Sequence, residues 1–294
     1  MRMILIVSRG SSVLNALTID VEDYYHVSGF ESIVRFEDWD RYESRVERNT
    51  YRILDLLDEY QTKATFFVLG WIAERQAQLI RAIDNRGHEV ASHGYAHQRI
   101  YTQPPEQFHE ETRRSKHIIE DTLGHPIFGY RAASYSITAK SLWALDILQE
   151  TGFAYDSSIF PIRHDRYGIP DYQRFCHMLN GHAGRGLIEF PISTLRLAGV
   201  NIPIAGGGYF RLFPYAFIRW SIKHINETEC QPALVYLHPW EIDPEQPRIH
   251  ASMLARFRQY HNLEKTESRL IRLLEDFRFG STTTVLRERG LLNG

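Results

Sequence analysis

Short apolar runs alternate with helical patterns along most of the chain. Seven runs have the length and composition of buried strands. They cover residues 16–20, 64–70, 88–92, 128–131, 153–156, 187–191 and 233–238. Apolar residues recur at helical spacing between several of them, in 49–60, 72–85, 105–123, 138–151 and about 214–227. This alternation predicts an α/β fold built on a parallel sheet or barrel.

Two segments do not fit the alternating pattern. Residues 162–186 are irregular and rich in His, Arg and Gly, which indicates a long surface excursion. Residues 244–294 contain a clear amphipathic helix at 263–277, followed by a short apolar stretch at 282–286. We therefore expect one domain over residues 14–243 and a helical C-terminal extension over 244–294 that packs on it.

Ionisable side chains follow five of the seven predicted strands. In a parallel sheet or barrel the carboxyl ends of the strands lie on one face, where such folds build their sites. We therefore expect these side chains to share one mouth: Asp20, Glu22, Asp23, His93, His97, Arg131, Asp156 and His238.

His93 and His97 are four residues apart, a spacing at which two imidazoles can reach one metal ion from a helical turn. Two histidines and one carboxylate leave coordination positions open, as a catalytic metal site requires. The alternative is a surface or capping pair of histidines. The acids from Asp20 to Asp23 have an alternative role as well, because acids at a strand end often form a turn and cap the next segment.

Composition narrows the function classes. The 34 Lys and Arg against 36 Asp and Glu give a net charge of −2, which argues against a nucleic-acid binder. Cys176 and Cys230 are too few for a Cys-rich zinc site. The apolar runs at 3–7 and 13–17 are shorter than the roughly 18 residues of a spanning helix, which predicts no transmembrane segment and a cytoplasmic protein. Residues 206–208, three glycines, predict a tight loop without phosphate-binding spacing.

The ordered set of motifs resembles the polysaccharide deacetylases of the NodB-homology type, carbohydrate esterase family four. The first strand, LTIDVEDYYHV at residues 17–27, is similar to the branch associated with exopolysaccharide and exosortase (PEP-CTERM) loci. The tail resembles that branch as well, at residues 247–248 and 257–263. The resemblance implies a distorted (β/α) barrel of about seven strands over 14–243. It also implies metal-dependent hydrolysis of an N-acetyl, or sometimes O-acetyl, group on a glycan.

The resemblance also implies roles for individual residues. Asp20 would be the general base, tethered by Arg131, and His238 the general acid, oriented by Asp156. His93 and His97 would hold a divalent metal, most often Zn²⁺ with Co²⁺ or Ni²⁺ as alternatives. The oxyanion or the sugar would contact Ser134, Tyr135 and Trp240.

The sequence departs from the family pattern at two places. The common first motif has two adjacent acids, whereas Val21 follows Asp20 here. The carboxylate ligand is therefore Glu22, which strand alternation favours, or Asp23, which a turn beginning at Glu22 would favour. Ala133 occupies the position at which the third motif usually carries a proline.

Two other functions remain open on this fold. One is a metal-free hydrolase of cyclic imides or ureides, which would not need His93 and His97 as ligands. The other is a non-catalytic glycan-binding protein that holds sugar through Tyr135, Tyr209 or Trp240. Further aromatic residues that could line a sugar cleft are Tyr24, Tyr25 and Phe210.

Overall fold

The computed structural model of the chain describes residues 13–179 and 186–293. Its strands are β1 (Leu14–Val21), β2 (Thr65–Val68), β3 (Glu89–Ser92), β4 (Gly129–Tyr130), β5 (Tyr155–Asp156), β6 (His177–Leu179), β7 (Leu187–Glu189), β8 (Thr194–Leu197), β9 (Val200–Pro203), β10 (Leu234–Leu237) and β11 (Arg278–Gly280). Nine of them form one sheet, in the order β10-β1-β2-β3-β4-β5-β7-β6 with β11 paired to the start of β1. Strands β8 and β9 form a separate hairpin.

Helices cover this sheet. They are α1 (Val46–Glu59), α2 (Gly70–Arg75), α3 (Ala77–Asn85), α4 (Pro105–Leu123), α5 (Trp143–Glu150), α6 (Gly207–Leu212), α7 (Tyr215–Glu227), α8 (Met253–Tyr260), α9 (Thr266–Asp276) and α10 (Thr282–Glu288). Both faces of β1 are buried, since Leu17 and Ile19 on one face and Ala16 and Thr18 on the other are all fully inaccessible to solvent. A strand covered on both faces needs an apolar run instead of strict alternation, as its sequence shows.

The prediction of a parallel α/β fold with about seven strands is confirmed. All seven predicted strands are present as β1, β2, β3, β4, β5, β7 and β10, and the pairs between them are parallel. The sheet is a curled half-barrel. At one edge β6 runs antiparallel to β7, and at the other Gly206 makes an isolated parallel bridge to Tyr236 of β10.

Two predictions about local structure are wrong. The helix expected over 72–85 is two helices, because the backbone of Gln76 leaves helical geometry at φ −127° and ψ 42°. It also begins earlier, at Gly70, where a Cβ would lie 2.8 Å from the Tyr95 ring and 3.2 Å from the Ser115 Cα. A close approach of this kind requires glycine.

The segment 162–186 is only partly a surface excursion. Ile162 is 2% exposed, and residues 177–179 form β6 at the sheet edge. Residues 180–185, like the apolar run at 3–7, lie outside the part of the chain that the structure describes. The tight loop predicted at 206–208 is limited to Gly206, because Gly207 and Gly208 are the first two residues of α6. Gly206 lies so close to β10 that a Cβ there would be 2.0 Å from the Tyr236 carbonyl oxygen.

The last fifty residues add to the sheet as well as covering it. Strand β11 pairs in parallel with Leu14–Ala16 of β1, although the hydrophobic pattern predicts no strand there. The expected helix at 263–277 is a short 3₁₀ turn followed by α9, and residues 282–286 belong to α10. The division at residue 243 stays a prediction.

No helix in the described ranges is long and apolar enough to cross a bilayer. Cys176 and Cys230 are both free thiols.

A buried histidine at the start of β3 should make the fold sensitive to acid. The Nδ1 atom of His88 accepts a hydrogen bond from the Ala64 N–H at 3.2 Å, and burial, with Lys63 nearby, lowers the pKa of His88 from 6.5 to about 4. The unfolded chain therefore binds a proton at this site between pH 6.5 and 4 while the native chain does not. Wild-type stability should fall through that window as the pH falls.

Replacing His88 with Asn keeps an acceptor for Ala64 and removes the titrating group. We expect the free energy of unfolding of His88→Asn, measured by urea denaturation, to vary less between pH 6.5 and 4 than that of the wild type. Equal acid slopes for the two proteins would contradict the assignment.

Candidate active site

The carboxyl ends of β1, β3, β4 and β10 meet at one edge of the sheet, where they surround a cavity of about 580 Å³. Most of the residues predicted from sequence line it: Asp20, Glu22, His93, His97, Ser134, Tyr135, His238 and Trp240. Arg131 lies directly behind Asp20 and is fully buried. The common mouth expected from the strand ends is therefore present.

Glu22, His93 and His97 form a compact group in which three potential ligand atoms lie within 4.8 Å of one another. The Glu22 Oε1 atom is 2.8 Å from His93 Nε2 and 3.0 Å from His97 Nε2. Burial by itself would raise the pKa of Glu22, but the adjacent histidines His97, His238 and His93 lower it well below its usual value. Two imidazoles and an ionised carboxylate, all pointing at one position, match the donor set of a catalytic zinc site.

The two histidines converge from a loop, not from the helical turn that their spacing suggested. Left-handed backbone at Gly94 (φ 74°) and at His97 (φ 51°) turns the second ring back toward the first. The Nδ1 atom of His93 lies 2.9 Å from the Arg131 carbonyl oxygen. An N–H donated there leaves Nε2 free as the ligand atom, the arrangement in which protein metal sites orient their histidines.

The structure separates the two candidate carboxylate ligands. Asp23 turns away from the histidines and accepts hydrogen bonds from the backbone N–H groups of Tyr24, Arg45 and Val46 and from the Ser44 hydroxyl. Val46 is the first residue of α1, so Asp23 satisfies donors at the beginning of that helix. Asp23 therefore does not face the position on which the two histidines converge, whereas Glu22 does.

Asp20 is held by Arg131, the contact that the family resemblance implied. The Arg131 guanidinium donates to Asp20 Oδ1 at 2.5 Å and is fixed in place by Thr18 Oγ1 and by the carbonyl and hydroxyl oxygens of Ser157. The other carboxylate oxygen of Asp20 is 3.9 Å from His238 Nε2, which in turn is 4.0 Å from Glu22 Oε1. The predicted base, the candidate metal ligand and the predicted acid therefore face the same small volume.

His238 is oriented by a residue that the sequence reasoning missed. Its Nδ1 atom lies 2.6 Å from Glu241 Oε1, and the fully buried Glu241 also accepts from Arg211 Nε at 2.7 Å. Burial would lower the pKa of His238, but the negative charges of Glu22, Glu241 and Asp20 raise it to about 9. The signal available in the sequence was an acid three residues after the histidine, in HPWE at 238–241.

Asp156 does not have the role that the family resemblance implied. It accepts hydrogen bonds from the Ser158 hydroxyl and backbone N–H. Burial and the charge of Asp156 raise the pKa of the neighbouring Glu189 well above its usual value. Burial raises the pKa of Asp156 to about 6. Asp156 and Glu189 form a buried acid pair behind the site, and the orienting contact to His238 comes from Glu241 instead.

The turn that follows Arg131 carries two strained residues. Ser134 and Tyr135 both have φ of 53°, a conformation uncommon for residues other than glycine, and both line the cavity. Strained backbone of this kind clusters at functional sites. The Tyr135 hydroxyl lies 3.4 Å from Asp20 Oδ2, which places the turn against the predicted base.

The aromatic candidates divide between cavity and core. Tyr135 and Tyr209 line the cavity, whereas Tyr24, Tyr25 and Phe210 are buried in the core. Trp240 is only 4% exposed and stacks on the His238 ring at a centroid distance of 5.1 Å. Trp240 therefore packs mainly against His238, the predicted general acid, although it also lines the cavity.

Two family models match adjacent parts of the chain. A family model described as "Polysaccharide deacetylase" matches residues 33–155, and one described as "Domain of unknown function (DUF3473)" matches residues 157–287. The first match contains His93, His97 and Arg131. The second contains His238 and Glu241.

Curated relatives match over shorter stretches. A chitooligosaccharide deacetylase from Bradyrhizobium is 31% identical over 96 residues, which cover 33% of this chain and 42% of that protein. A peptidoglycan deacetylase from Helicobacter pylori is 31% identical over 108 residues, 37% of this chain and 36% of that one. The chain thus spans about two fifths of the length of these relatives.

Among solved structures, a protein described as a polysaccharide deacetylase from Mycobacterium smegmatis superposes with a TM-score of 0.61. The superposition covers 98% of this chain and 94% of that protein, and the two sequences are 18% identical. At that identity the likeness shows the fold.

Proposed function

We propose, from the premise that this chain carries a polysaccharide deacetylase domain of the NodB-homology type, that it is a metal-dependent hydrolase. Its substrate would be an acetylated amino-sugar glycan or a precursor of one, from which it removes N-acetyl or O-acetyl groups. The observation that carries the proposal is the convergence of Asp20, the Glu22–His93–His97 group and His238 on one cavity.

Glu22, His93 and His97 would hold the metal ion, most often zinc for a donor set of two imidazoles and one carboxylate. A bound divalent ion supplies Lewis-acid polarisation and lowers the pKa of a coordinated water. The residues fit such an ion because three donor atoms already converge and the His93 Nδ1 contact to the Arg131 carbonyl selects the ligand nitrogen.

The remaining residues divide the proton transfers. Asp20, oriented by Arg131, accepts the proton of the water whose oxygen attacks the acetyl carbon. When the carbon–nitrogen bond breaks, His238 Nε2 donates a proton to the departing nitrogen, because Nδ1 is occupied by Glu241. Acetate and a free amine are the products. Backbone donors in the strained Ser134–Tyr135 turn would stabilise negative charge on the acetyl oxygen.

A role in exopolysaccharide biosynthesis is the finer proposal. It is supported by the resemblance of residues 17–27 and of the tail to the exosortase-locus branch. The division into a catalytic domain over 14–243 and an extension over 244–294 belongs to the same proposal.

The proposal is tested by metal content and acetate release. Gently purified wild type should contain about one zinc, cobalt or nickel ion per chain and release acetate from acetylated amino-sugar oligosaccharides. The double variant His93→Ala/His97→Ala should lose both properties, because only one ligand of three remains. His117→Ala is the matched control, since that histidine lies on α4 with its side chain 75% exposed.

The same assays distinguish the other functions. An allantoinase structure also shares this fold, with a TM-score of 0.58 over 94% of this chain and 90% of its own at 14% identity. Hydrolysis of allantoin by metal-free protein would favour the cyclic ureide hydrolase. Glycan binding without acetate release would favour a non-catalytic protein, and either result would overturn the deacetylase proposal.

A further inference from the structure

Two arginines line the cavity without a carboxylate partner. Arg166 comes from the segment between β5 and β6 and Arg258 from α8. Within the described ranges no carboxylate oxygen lies within 4.0 Å of either guanidinium. The third arginine of the cavity wall, Arg211, is 1% exposed and bound to Glu241 and to backbone carbonyls. Arg166 and Arg258 are therefore the wall arginines that remain available to a ligand.

Two acids of this region do not line the cavity. Asp165 has a side chain that is 63% exposed, and Glu31 pairs with Arg99 at 2.9 Å. His164 stacks on Tyr167 at a centroid distance of 3.8 Å, and both rings line the cavity. Arg166, Arg258 and His164 all line this one cavity. The two arginines therefore belong to the wall of the same cavity.

The rest of the cavity does not balance this positive charge. Asp20 and Glu22 are the carboxylates among the described lining residues, and they are held at the base by Arg131 and by the two histidines. A neutral sugar needs hydroxyl and amide partners and aromatic faces, but not two unpaired guanidinium groups. Guanidinium groups match the planar geometry of carboxylates and the oxygens of phosphates, often through two parallel hydrogen bonds.

We propose that Arg166 and Arg258 form a subsite for a carboxylate or phosphate group carried by the glycan beside the acetylated sugar. This inference rests on the proposed deacetylase function and names its substrate class: an anionic acetylated glycan. The anion contacts the two arginines while the acetyl group lies against Asp20 and His238.

Matched substrates test the subsite. A hyaluronan oligosaccharide carries both N-acetyl and carboxylate groups, and its methyl ester is the neutral counterpart. An N-acetylglucosamine oligosaccharide with a 6-phosphate, paired with its unphosphorylated parent, tests phosphate. We expect wild type to prefer at least one charged form by about tenfold or more in kcat/KM. Raising the salt concentration should reduce that preference, because the arginines are partly exposed.

Variants assign the preference to the two side chains. Arg166→Gln and Arg258→Gln should each reduce the charged-to-neutral ratio about three- to tenfold, and the double variant should bring it close to one. Arg256→Gln is the matched control, because Arg256 is exposed on the same helix but does not line the cavity. Substitution of Arg258 leaves its backbone carbonyl available to Arg211.

A ratio near one in wild type, or a preference that survives in the double variant, would overturn the subsite. Dissociation constants of the charged and neutral oligosaccharides, measured by calorimetry, give the same comparison without turnover. If no substrate releases acetate, the proposed function fails, and a charged-to-neutral affinity ratio that depends on the arginines would still support the subsite.

Discussion

Replacing Asp20 with asparagine is expected to lower kcat for acetate release by about 10³-fold while the protein keeps its metal. A positioned general base contributes roughly 10²–10⁴-fold, and the amide of asparagine cannot accept the proton. The introduced side chain has nearly the same volume, and its amide oxygen can still accept the hydrogen bond from Arg131. Glu22, His93 and His97 are untouched, so metal content, measured by elemental analysis, should stay at about one ion per chain.

The same substitution has a cost in stability that must be separated from catalysis. Arg131 is fully buried, and Asp20 is the carboxylate that neutralises it. Removing one partner of a buried ion pair costs on the order of 3 kcal/mol, part of which the contacts of Arg131 to Thr18 and Ser157 offset. Rates should therefore be measured well below the unfolding transition of the variant.

Asp58→Asn is the control for the chemical change alone, because Asp58 is 44% exposed on α1. It should match the wild type in rate and in metal content. Retention of more than a tenth of the wild-type kcat in folded, metal-loaded Asp20→Asn would show that another group is the base.

The sequence was most informative where burial imposes a pattern. Strands β1, β2 and β10 are covered on both faces, and a continuous apolar run is the direct consequence. Strand β11 has three residues and pairs only with the start of β1, so no periodicity marks it. The interruption between α2 and α3 at Gln76 could not be predicted either, because no glycine or proline lies at that position.

The site shows the same division between local and tertiary information. Strand ends brought Asp20, His93 and His238 to one edge, and this follows from chain order and parallel pairing. The choice between Glu22 and Asp23 depended on where β1 ends and on which side chain accepts the free backbone N–H groups at the beginning of α1. Both depend on tertiary structure. The contacts of Arg211 could not be predicted from the sequence, because its partners are Glu241, 30 residues away, and residues still later in the chain.

The orienting acid of His238 gives the second large prediction. Glu241→Gln should lower kcat by about 10²-fold or more with little change in KM. The neutral amide carries no negative charge, so it neither orients the imidazole as firmly nor stabilises its positive charge. Loss of the equivalent carboxylate in a Ser-His-Asp triad costs about 10⁴-fold. Metal content should be unchanged, since Glu241 contacts none of Glu22, His93 and His97 among the contacts that the structure describes.

Asp156→Asn is the matched comparison, because both acids are fully buried and only one contacts His238. The introduced amide oxygen can still accept a hydrogen bond from Ser158, and the neighbouring Glu189, whose pKa is raised well above its usual value, places no additional charge against it in its protonated form. We therefore expect kcat of Asp156→Asn to stay within about tenfold of the wild type. Glu241→Gln also loses the ion pair with Arg211. Its unfolding curve should therefore be measured together with its kcat. A larger loss of kcat in Asp156→Asn than in Glu241→Gln would return the orienting role to Asp156, and with it the arrangement that the family resemblance implied.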